Sequence, residues 1–430
     1  MDSPCAMVVG LGRLGLPLAV LLANSGRRVI GVDKDKSVAS WVSAKKTPIY
    51  EPGLAKMLDK LPNGMLRGVT NASMENAVRQ SDIAVVLVPT PSIHADRFSN
   101  EYVLDVCKGI GNALQLQDGF FTVVISSTVM PGSCDGPIRS ILEQTSGKKC
   151  GVGFGLCYAP EFVRLGSVIS DMRAPDFVMI GASDPQSADI ADRLFRSVRR
   201  RGFCMVRKTS LINAEIAKIS LNAYMVMKIT MANEIGELCE QYPGADAQVV
   251  TRALELDRRI GVSFQAATHA GGKCFPRDCR AFSAALRNTN SFAHADDAAN
   301  WQYGQRLCAR VIWELADFEN PCVAILGLAF KKGTNVTEES FGMMLVEYLS
   351  PSAMITAYDP LVEIVQSEES AGVAIADANV VVLASPYKEF ELLDFQKGQT
   401  VFDCWRLIGN LRAKILRERG VKLIQIGKGE

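Results

Sequence analysis

The sequence predicts an α/β protein: two doubly wound α/β domains joined by a long central helix and a helical middle domain. Three observations carry that prediction. Short apolar runs of strand length alternate with helical stretches over residues 6–180. The same alternation restarts after Pro321. Between the two blocks, apolar residues recur at mostly three- or four-residue steps over 209–240, the period of one long helix. Strand–helix alternation means a parallel sheet with helical crossovers. A chain of 430 residues is too long for one ordinary core. The expected boundaries are 1–205, 206–315 and 316–430.

Composition narrows the class. Apolar residues make up 48% and charged residues 22%, as in a globular rather than a disordered protein. A formal net charge of +1 speaks against nucleic acid or a membrane surface as the main partner, so any anion site must be local. Twelve scattered cysteines with no CxxC pair, and only three histidines, make neither a disulfide framework nor a zinc site. No metal is expected, and so many thiols suit a reducing cytoplasm. The apolar stretch 6–23 lacks a basic leader and is broken by glycines and a proline, so it reads as folded structure rather than a targeting segment. No other run reaches the roughly 18 apolar residues of a membrane span.

Residues 6–33 read AMVVGLGRLGLPLAVLLANSGRRVIGVD. An apolar run at 7–9 meets Gly10, Gly12 and Gly15, spaced G-x-G-x-x-G. A helical pattern through Leu18, Leu21 and Leu22 follows to Gly26, and a second strand at 29–32 ends at Asp33. Strand, glycine turn, helix, strand and acid in that order form a dinucleotide fingerprint, which makes the first domain Rossmann-like. Gly10 makes the tight turn. Gly12 lets a diphosphate approach the helix N-terminus, and Gly15 permits close helix–strand packing. Asp33, 18 residues past Gly15, is placed for the ribose hydroxyls. Its charge repels a 2′-phosphate, which favours NAD over NADP.

Further strands are expected at 83–88, 123–126, 153–157 and 177–180, in a parallel sheet whose strand ends bind ligands. Two strand-end loops carry hydroxyls, Val88-Pro89-Thr90-Pro91 and Ser126-Ser127-Thr128. They either touch cofactor or water, or simply form turns. Next comes Ala159-Pro160-Glu161-Phe162-Val163-Arg164-Leu165-Gly166, in which Glu161 is a candidate base or a solvated loop acid.

On the helix of 209–240, capped by Ser210 or Asn213, Glu215, Lys218 and Asn222 share one face. Lys218 and Asn222 are then two donors one turn apart that can hold an oxyanion. The alternative is a polar helix edge tied by a Glu215–Lys218 ion pair. Residues 245–300 read as helical and carry Asp257-Arg258-Arg259-Ile260-Gly261, then AGGKCFPRDCRAF at 270–282. A further helix is expected around 301–318. Gly271 and Gly272 let backbone come close to a ligand. Lys273 and Arg277 could favour the thiolate of Cys274, and Asp278 is a possible acid/base or positioning partner. The plain alternative for a lone cysteine is a small buried hydrophobe. Strands are expected again at 323–326, 355–358, 380–383, 401–403 and 423–426. They begin with Gly327-Leu328-Ala329-Phe330 and show no second three-glycine fingerprint.

Ten ordered blocks, between about residue 6 and about residue 408, together resemble the UDP-glucose/GDP-mannose dehydrogenase family of nucleotide-sugar 6-dehydrogenases. They are GLGRLGLPLA at 10–19, PIYEPGL at 48–54, VPTP at 88–91, SSTVMPG at 126–132 and APEFVRLGS at 159–167. EIAKISLNAY at 215–224, DRRIG at 257–261, GGKCFPRD at 271–278, GLAFK at 327–331 and YDP at 358–360 complete the set. The CFPRD form resembles the UDP-glucose 6-dehydrogenases.

The resemblance implies a four-electron oxidation with two NAD per turnover. A C6 alcohol becomes an aldehyde, Cys274 captures it as a thiohemiacetal, and a thioester follows that water hydrolyses to a uronate. Lys218 and Asn222 match the oxyanion-stabilising pair, and Asp278 the acid that orders water and assists proton transfer. Thr128 and Glu161 match the residues that position the hydrolytic water and act as base. Gly10, Leu11, Gly12, Arg13, Leu14, Gly15, Asp33, Thr90 and Thr128 match NAD contacts. Phe162, Val163, Lys218, Asn222, Gly271, Lys331 and Arg406 match substrate contacts. Arg259 matches an arginine that reaches the substrate of the neighbouring subunit, which implies a homodimer. UDP-glucose is the expected substrate, with GDP-mannose, UDP-N-acetylglucosamine and UDP-N-acetylmannosamine as alternatives. Uronic acid and polysaccharide biosynthesis in the cytoplasm is the implied setting.

Three departures stand out. Glu338 occupies the place of a usual arginine four residues after Thr334, with Lys332 nearby as a substitute cation. Residues 267–272 read ATHAGG in place of the usual G-x-G-F-G-G, one residue shorter than in UDP-glucose dehydrogenases. Leu165 replaces a common glutamate. A two-electron hydroxyacid dehydrogenase would need no cysteine block. An idle nucleotide-sugar-binding protein would form no NADH.

Overall fold

The structure, a computed structural model, describes residues 5–200, 204–262, 264–286 and 291–429. It divides into two units, Met1–Ser220 and Leu221–Glu430, and the division falls inside the helix Leu211–Glu240.

The first unit is built on eight strands. They are β1 (Ala6–Val9), β2 (Val29–Asp33), β3 (Leu66–Thr70), β4 (Ile83–Val86), β5 (Phe121–Ile125), β6 (Phe154–Tyr158), β7 (Phe177–Ala182) and β8 (Met205–Thr209). Their order is β3-β2-β1-β4-β5-β6-β7-β8. β1, β4, β5 and β6 are buried along their whole length and are almost entirely apolar. A sheet covered by helices on both faces requires this. The chain runs from β1 outward to β2 and β3, then returns to β4 on the other side. That reversal sets the loops after β1 and β4 side by side, where doubly wound sheets bind ligands.

The sheet is not wholly parallel, as the sequence had suggested. β7 runs antiparallel to β6, with Cys157 opposite Ala182 and Tyr158 opposite Gly181, and β8 follows β7 in parallel. The 159–176 connection holds only a six-residue helix, Val168–Arg173, short of the full crossover that a parallel return needs. β3 and β8 are absent from the sequence-based expectation because they are edge strands. Their sequences, LRGVT and MVRKT, are half polar and largely exposed to partly exposed.

The second unit carries the rest of the long helix and the helices Ala247–Glu255, Phe275–Leu286 and Phe292–Leu315. The described part of 256–274 is irregular rather than helical, and the helix expected from 301 starts at Phe292. Its start is set by Ser291, whose hydroxyl caps it by accepting from the His294 N–H. Five strands follow: β9 (Cys322–Leu326), β10 (Met354–Tyr358), β11 (Val380–Leu383), β12 (Thr400–Asp403) and β13 (Lys422–Gln425). They are all parallel, in the order β10-β9-β11-β12-β13.

The turn after β9 repeats the turn after β1. Gly10 and Gly327 have φ of +90° and +101°. Their N–H groups donate to Val32 O and Tyr358 O, each at 2.8 Å. A Cβ on Gly15 would lie 1.8 Å from Gly10 O, and one on Gly342 would lie 2.2 Å from Gly327 O. Asp33 accepts from Leu11 and Asp35 N–H, and Asp359 accepts from Leu328, Ala329 and Leu361 N–H. The second fingerprint is present but opened out. Its turn and packing glycines are fifteen positions apart (327 to 342) instead of five (10 to 15).

Candidate active site

In the first unit the glycine turn separates three roles by geometry. Gly10 needs its positive φ, and a Cβ there would also lie 2.3 Å from Leu87 O. Gly15 must be glycine for the helix Gly15–Asn24 to pack on the turn. Among the described residues, a Cβ on Gly12 would meet no atom within 4 Å. Its outward side is the open one, as a diphosphate-binding glycine requires. The helix has no side-chain cap, so backbone N–H groups around Arg13 and Leu14 face a position suited to an anion. Leu11 buries its side chain, and its N–H donates to Asp33 Oδ2 at 2.8 Å. Asp33 is thereby fixed at the end of β2. The turn, the open glycine and the placed acid fit an NAD diphosphate and ribose.

The neighbouring loops are tied together by hydroxyls. Thr90 Oγ1 donates to Thr128 O at 2.6 Å. Ser127 Oγ donates to Val88 O at 2.8 Å and accepts from Val88 N–H at 2.9 Å. The Thr90 side chain therefore braces the loop after β5, and the Thr128 residue keeps partial exposure.

Glu161, Phe162, Val163 and Lys218 come together beyond β6. Lys218 Nζ donates to the Glu161 carbonyl at 2.7 Å and lies 5.2 Å from the centre of the Phe162 ring. Phe162 in turn packs on Phe177 with ring centroids 4.7 Å apart. Glu161, Phe162 and Val163 line a small cavity of about 30 Å³. Glu161 keeps some surface as a residue. Atoms crowded around its carboxyl group still push the pKa up to about 7, with the Lys218 ammonium pulling the other way.

Two carboxylates that sequence reasoning did not assign hold these loops. Glu51 accepts from Gly166 N–H at 3.0 Å and Val168 N–H at 2.8 Å, so it fixes the end of the Glu161 segment. Its only sequence signal was its place in PIYEPGL. Glu215 accepts from Gly132 N–H at 2.7 Å and Cys134 N–H at 2.8 Å. The Glu215–Lys218 ion pair weighed from the sequence gives way to these bonds, because Glu215 satisfies two buried backbone donors.

In the second unit Cys274 is the one cysteine of the twelve that is exposed. It stands immediately before the helix Phe275–Leu286, and the Asp278 N–H closes the first turn on Cys274 O at 2.9 Å. Asp278 is 1% exposed. Its Oδ2 accepts from Asn222 Nδ2 at 2.6 Å, and its Oδ1 accepts from Arg277 at 3.0 and 3.1 Å. Asn222, Asp278 and the turn bearing Cys274 thus form one connected group.

The loop before the cysteine is held from several sides. Asn233 binds Ala267 N–H and Thr268 O, and Asn300 binds both backbone groups of Ala270. Gly271 has no room for a side chain, since a Cβ would lie 2.1 Å from Glu339 O. Burial pulls the His269 pKa down to about 4. The ring is neutral near pH 7, and its Nε2–H donates to Glu339 O at 3.1 Å. Asn233 and Asn300 belong to no motif, so the sequence had no signal for them.

The remaining sequence candidates stand on other segments of the second unit. Lys331 sits half-buried on the segment after β9. Glu338 pairs with Lys273, at 3.2 Å. Arg259 is exposed and pairs with Asp257 at 2.5 Å. Arg406, at φ +54°, has a side chain 8% exposed and gives two N–H groups to Asp246 at 2.9 and 3.2 Å.

Comparison with known proteins places these features in a family. The NAD binding domain of the UDP-glucose/GDP-mannose dehydrogenase family matches residues 5–199, its central domain 212–299 and its UDP binding domain 324–410. A UDP-glucose 6-dehydrogenase of Haloferax volcanii is 30% identical over 402 residues, covering 90% of this chain and 92% of that protein. A GDP-mannose 6-dehydrogenase of Pseudomonas putida is 33% identical over 347 residues, 80% of this chain and 77% of that one. The solved structure of a UDP-glucose dehydrogenase from Pyrobaculum islandicum superposes with a TM-score of 0.86 at 28% identity, over 100% of this chain and 98% of that one. The chain belongs to the UDP-glucose/GDP-mannose dehydrogenase family and carries that family's NAD-binding domain at its N-terminal end.

Proposed function

We propose that this protein oxidises the C6 alcohol of a nucleotide sugar to the carboxylate, with UDP-glucose as substrate and UDP-glucuronate as product. NAD, two per turnover, supplies the hydride acceptor for both oxidations. Cys274 attacks the C6 aldehyde and forms a thiohemiacetal, whose oxyanion Lys218 and Asn222 stabilise as it develops. Loss of a hydride and a proton leaves a thioester on Cys274. Glu161 then takes a proton from water positioned with Thr128, the water oxygen bonds to the thioester carbon, and the thiolate leaves. Asp278 holds Asn222 and assists proton movement. The observation that carries this reading is the Cys274–Asp278 turn with its Asn222 contact, because an exposed thiol at a helix N-terminus is a nucleophile's setting.

The substrate contacts we assign are Phe162, Val163, Gly271, Lys331 and Arg406, with Lys218 and Asn222. Arg259 is assigned to the neighbouring subunit's site in a cytoplasmic homodimer. A stripe of three exposed apolar side chains at seven-residue spacing on the long helix, Tyr224, Met231 and Leu238, supports the dimer. Functionally the chain falls into three parts, 1–205, 206–315 and 316–430.

The test is to count NADH per sugar consumed with UDP-glucose, UDP-N-acetylglucosamine, UDP-N-acetylmannosamine and GDP-mannose. Two NADH per UDP-glucose is the expected result. Two NADH with another sugar moves the substrate and leaves the chemistry. One NADH removes the thioester step, and none with any sugar favours an idle binding protein.

A further inference from the structure

The sequence offers two cations to the Cys274 thiol, Lys273 and Arg277, and both meet carboxylates. Arg277 pairs with Asp278 at 3.0 Å. Lys273 Nζ lies 3.2 Å from Glu338 Oε1, with both side chains more than half exposed. Surface pairs of this kind contribute little to stability, because two long side chains give up freedom to hold one geometry. This pair is anchored by backbone, since the Gly272 N–H donates to the Glu338 carbonyl at 3.0 Å. The loop therefore brings the Glu338 carboxylate to the residue next to Cys274. The next charges along are matched as well. Arg280 gives two N–H groups to Glu339 and one to Asp297. Lys331 lies seven positions before Glu338 on the same segment. On the long helix, neutral Asn222 faces Asp278. The N-terminal end of the helix Phe275–Leu286 also favours a thiolate at Cys274.

We propose that Glu338 is a positioning residue for the nucleophile. By holding the Lys273 ammonium in an ion pair, it withholds positive charge from Cys274 and leaves that exposed thiol less ionised than its basic neighbours would make it. The inference rests on Cys274 being the nucleophile, but its test reads the thiol directly. The Gly272–Glu338 backbone bond survives in the variants, because only side chains change.

The experiment measures carbamidomethylation of Cys274 by neutral iodoacetamide from pH 6 to pH 10, on the full chain without cofactor or sugar. The Cys274 peptide is followed by mass spectrometry. Glu338→Gln should speed the reaction near pH 7 by about two- to fivefold, and Lys273→Met should slow it by a similar factor, as expected for one charge gained or lost beside the thiol-bearing turn in a water-rich setting. The double variant should fall near wild type. All three differences should shrink in about 1 M salt, where the screening length is about 3 Å. Unchanged rates in both single variants, or shifts in the same direction, overturn the proposal. Uronate formation by Cys274→Ala tests the nucleophile separately, and the alkylation result stands whichever way that falls.

Discussion

At Glu161 two influences oppose each other. Burial pushes the carboxyl pKa up to about 7, and the Lys218 ammonium holds it from rising further. A base for thioester hydrolysis works only when ionised, so uronate formation should fall on the acid side with a limb near pH 7. Lys218→Ala removes the proposed oxyanion donor, and loss of such a donor typically costs about 10²–10³ in rate. It also removes the charge that favours the Glu161 carboxylate, so the residual activity should show its acid limb at higher pH. The measurement is kcat against pH for both proteins. An acid limb that stays in place separates Glu161 from Lys218, and a change in KM alone makes Lys218 a binding residue. Cys274, Asp278 and Lys218 could be singled out as candidates in the sequence because the chemistry proposed for them lies in their own side chains within compact motifs. Glu51 and Glu215 were not. Each acts on backbone N–H groups more than 80 positions away, and a backbone donor leaves no mark in sequence.

The two glycine turns allow a contrast between packing and binding. At Gly15 an added Cβ would lie 1.8 Å from backbone oxygen, and at Gly342 2.2 Å. Gly15→Ala and Gly342→Ala should each lower stability by about 1–3 kcal/mol, the usual range for overpacking, read as a lower Tm. Gly12→Ala meets open space in the protein. It should keep its Tm and instead raise KM for NAD, and a fall in Tm would show that Gly12 has a packing role. The first turn was readable because its glycines stand five positions apart. The second was hidden by ten inserted residues that carry Lys331 and Glu338, although Gly327, Gly342 and Asp359 repeat its geometry. The edge strands β3 and β8 were missed for another reason, since half-polar strands have no apolar run to betray them.

The helix Phe292–Leu315 carries a different tension. Asp296 is 6% exposed, and burial raises its pKa to about 6, against 3.8 for the unperturbed group. A raised folded-state pKa means that this group's contribution to stability is fully present below about pH 4 and is lost as pH rises through about 6. Asp296→Asn should therefore raise stability by about 1–3 kcal/mol at pH 8 and leave it nearly unchanged at pH 4. Thermal unfolding at the two pH values checks this. An equal effect at both would mean that packing, not charge, sets the cost at this position.

At the scale of the whole molecule, the proposed role of Arg259 depends on the proposed dimer. Tyr224, Met231 and Leu238 recur at seven-residue spacing with more than half of each side chain exposed. A partner helix covers such a stripe in a coiled-coil-like seam, and a second copy of the chain offers the same stripe in return. Arg259 is 88% exposed in its side chain and is held by Asp257 on its own chain, so its guanidinium is available to a neighbour. Suppose Arg259 serves the partner's site. Then Cys274→Ala dimers lack a nucleophile, and Arg259→Ala dimers lack the contact from across the interface. A mixed dimer contains one complete site, in which the intact Cys274 of the Arg259→Ala chain is served by the Arg259 of the Cys274→Ala chain. Co-expressing the two variants with different tags and purifying the doubly tagged species should recover about half of the wild-type activity, because one of two sites is whole. An inactive mixed dimer would place Arg259 in the site of its own chain. A sedimentation measurement that finds only monomers would remove the dimer, and an Arg259→Ala homodimer with full activity would remove the arginine from the mechanism.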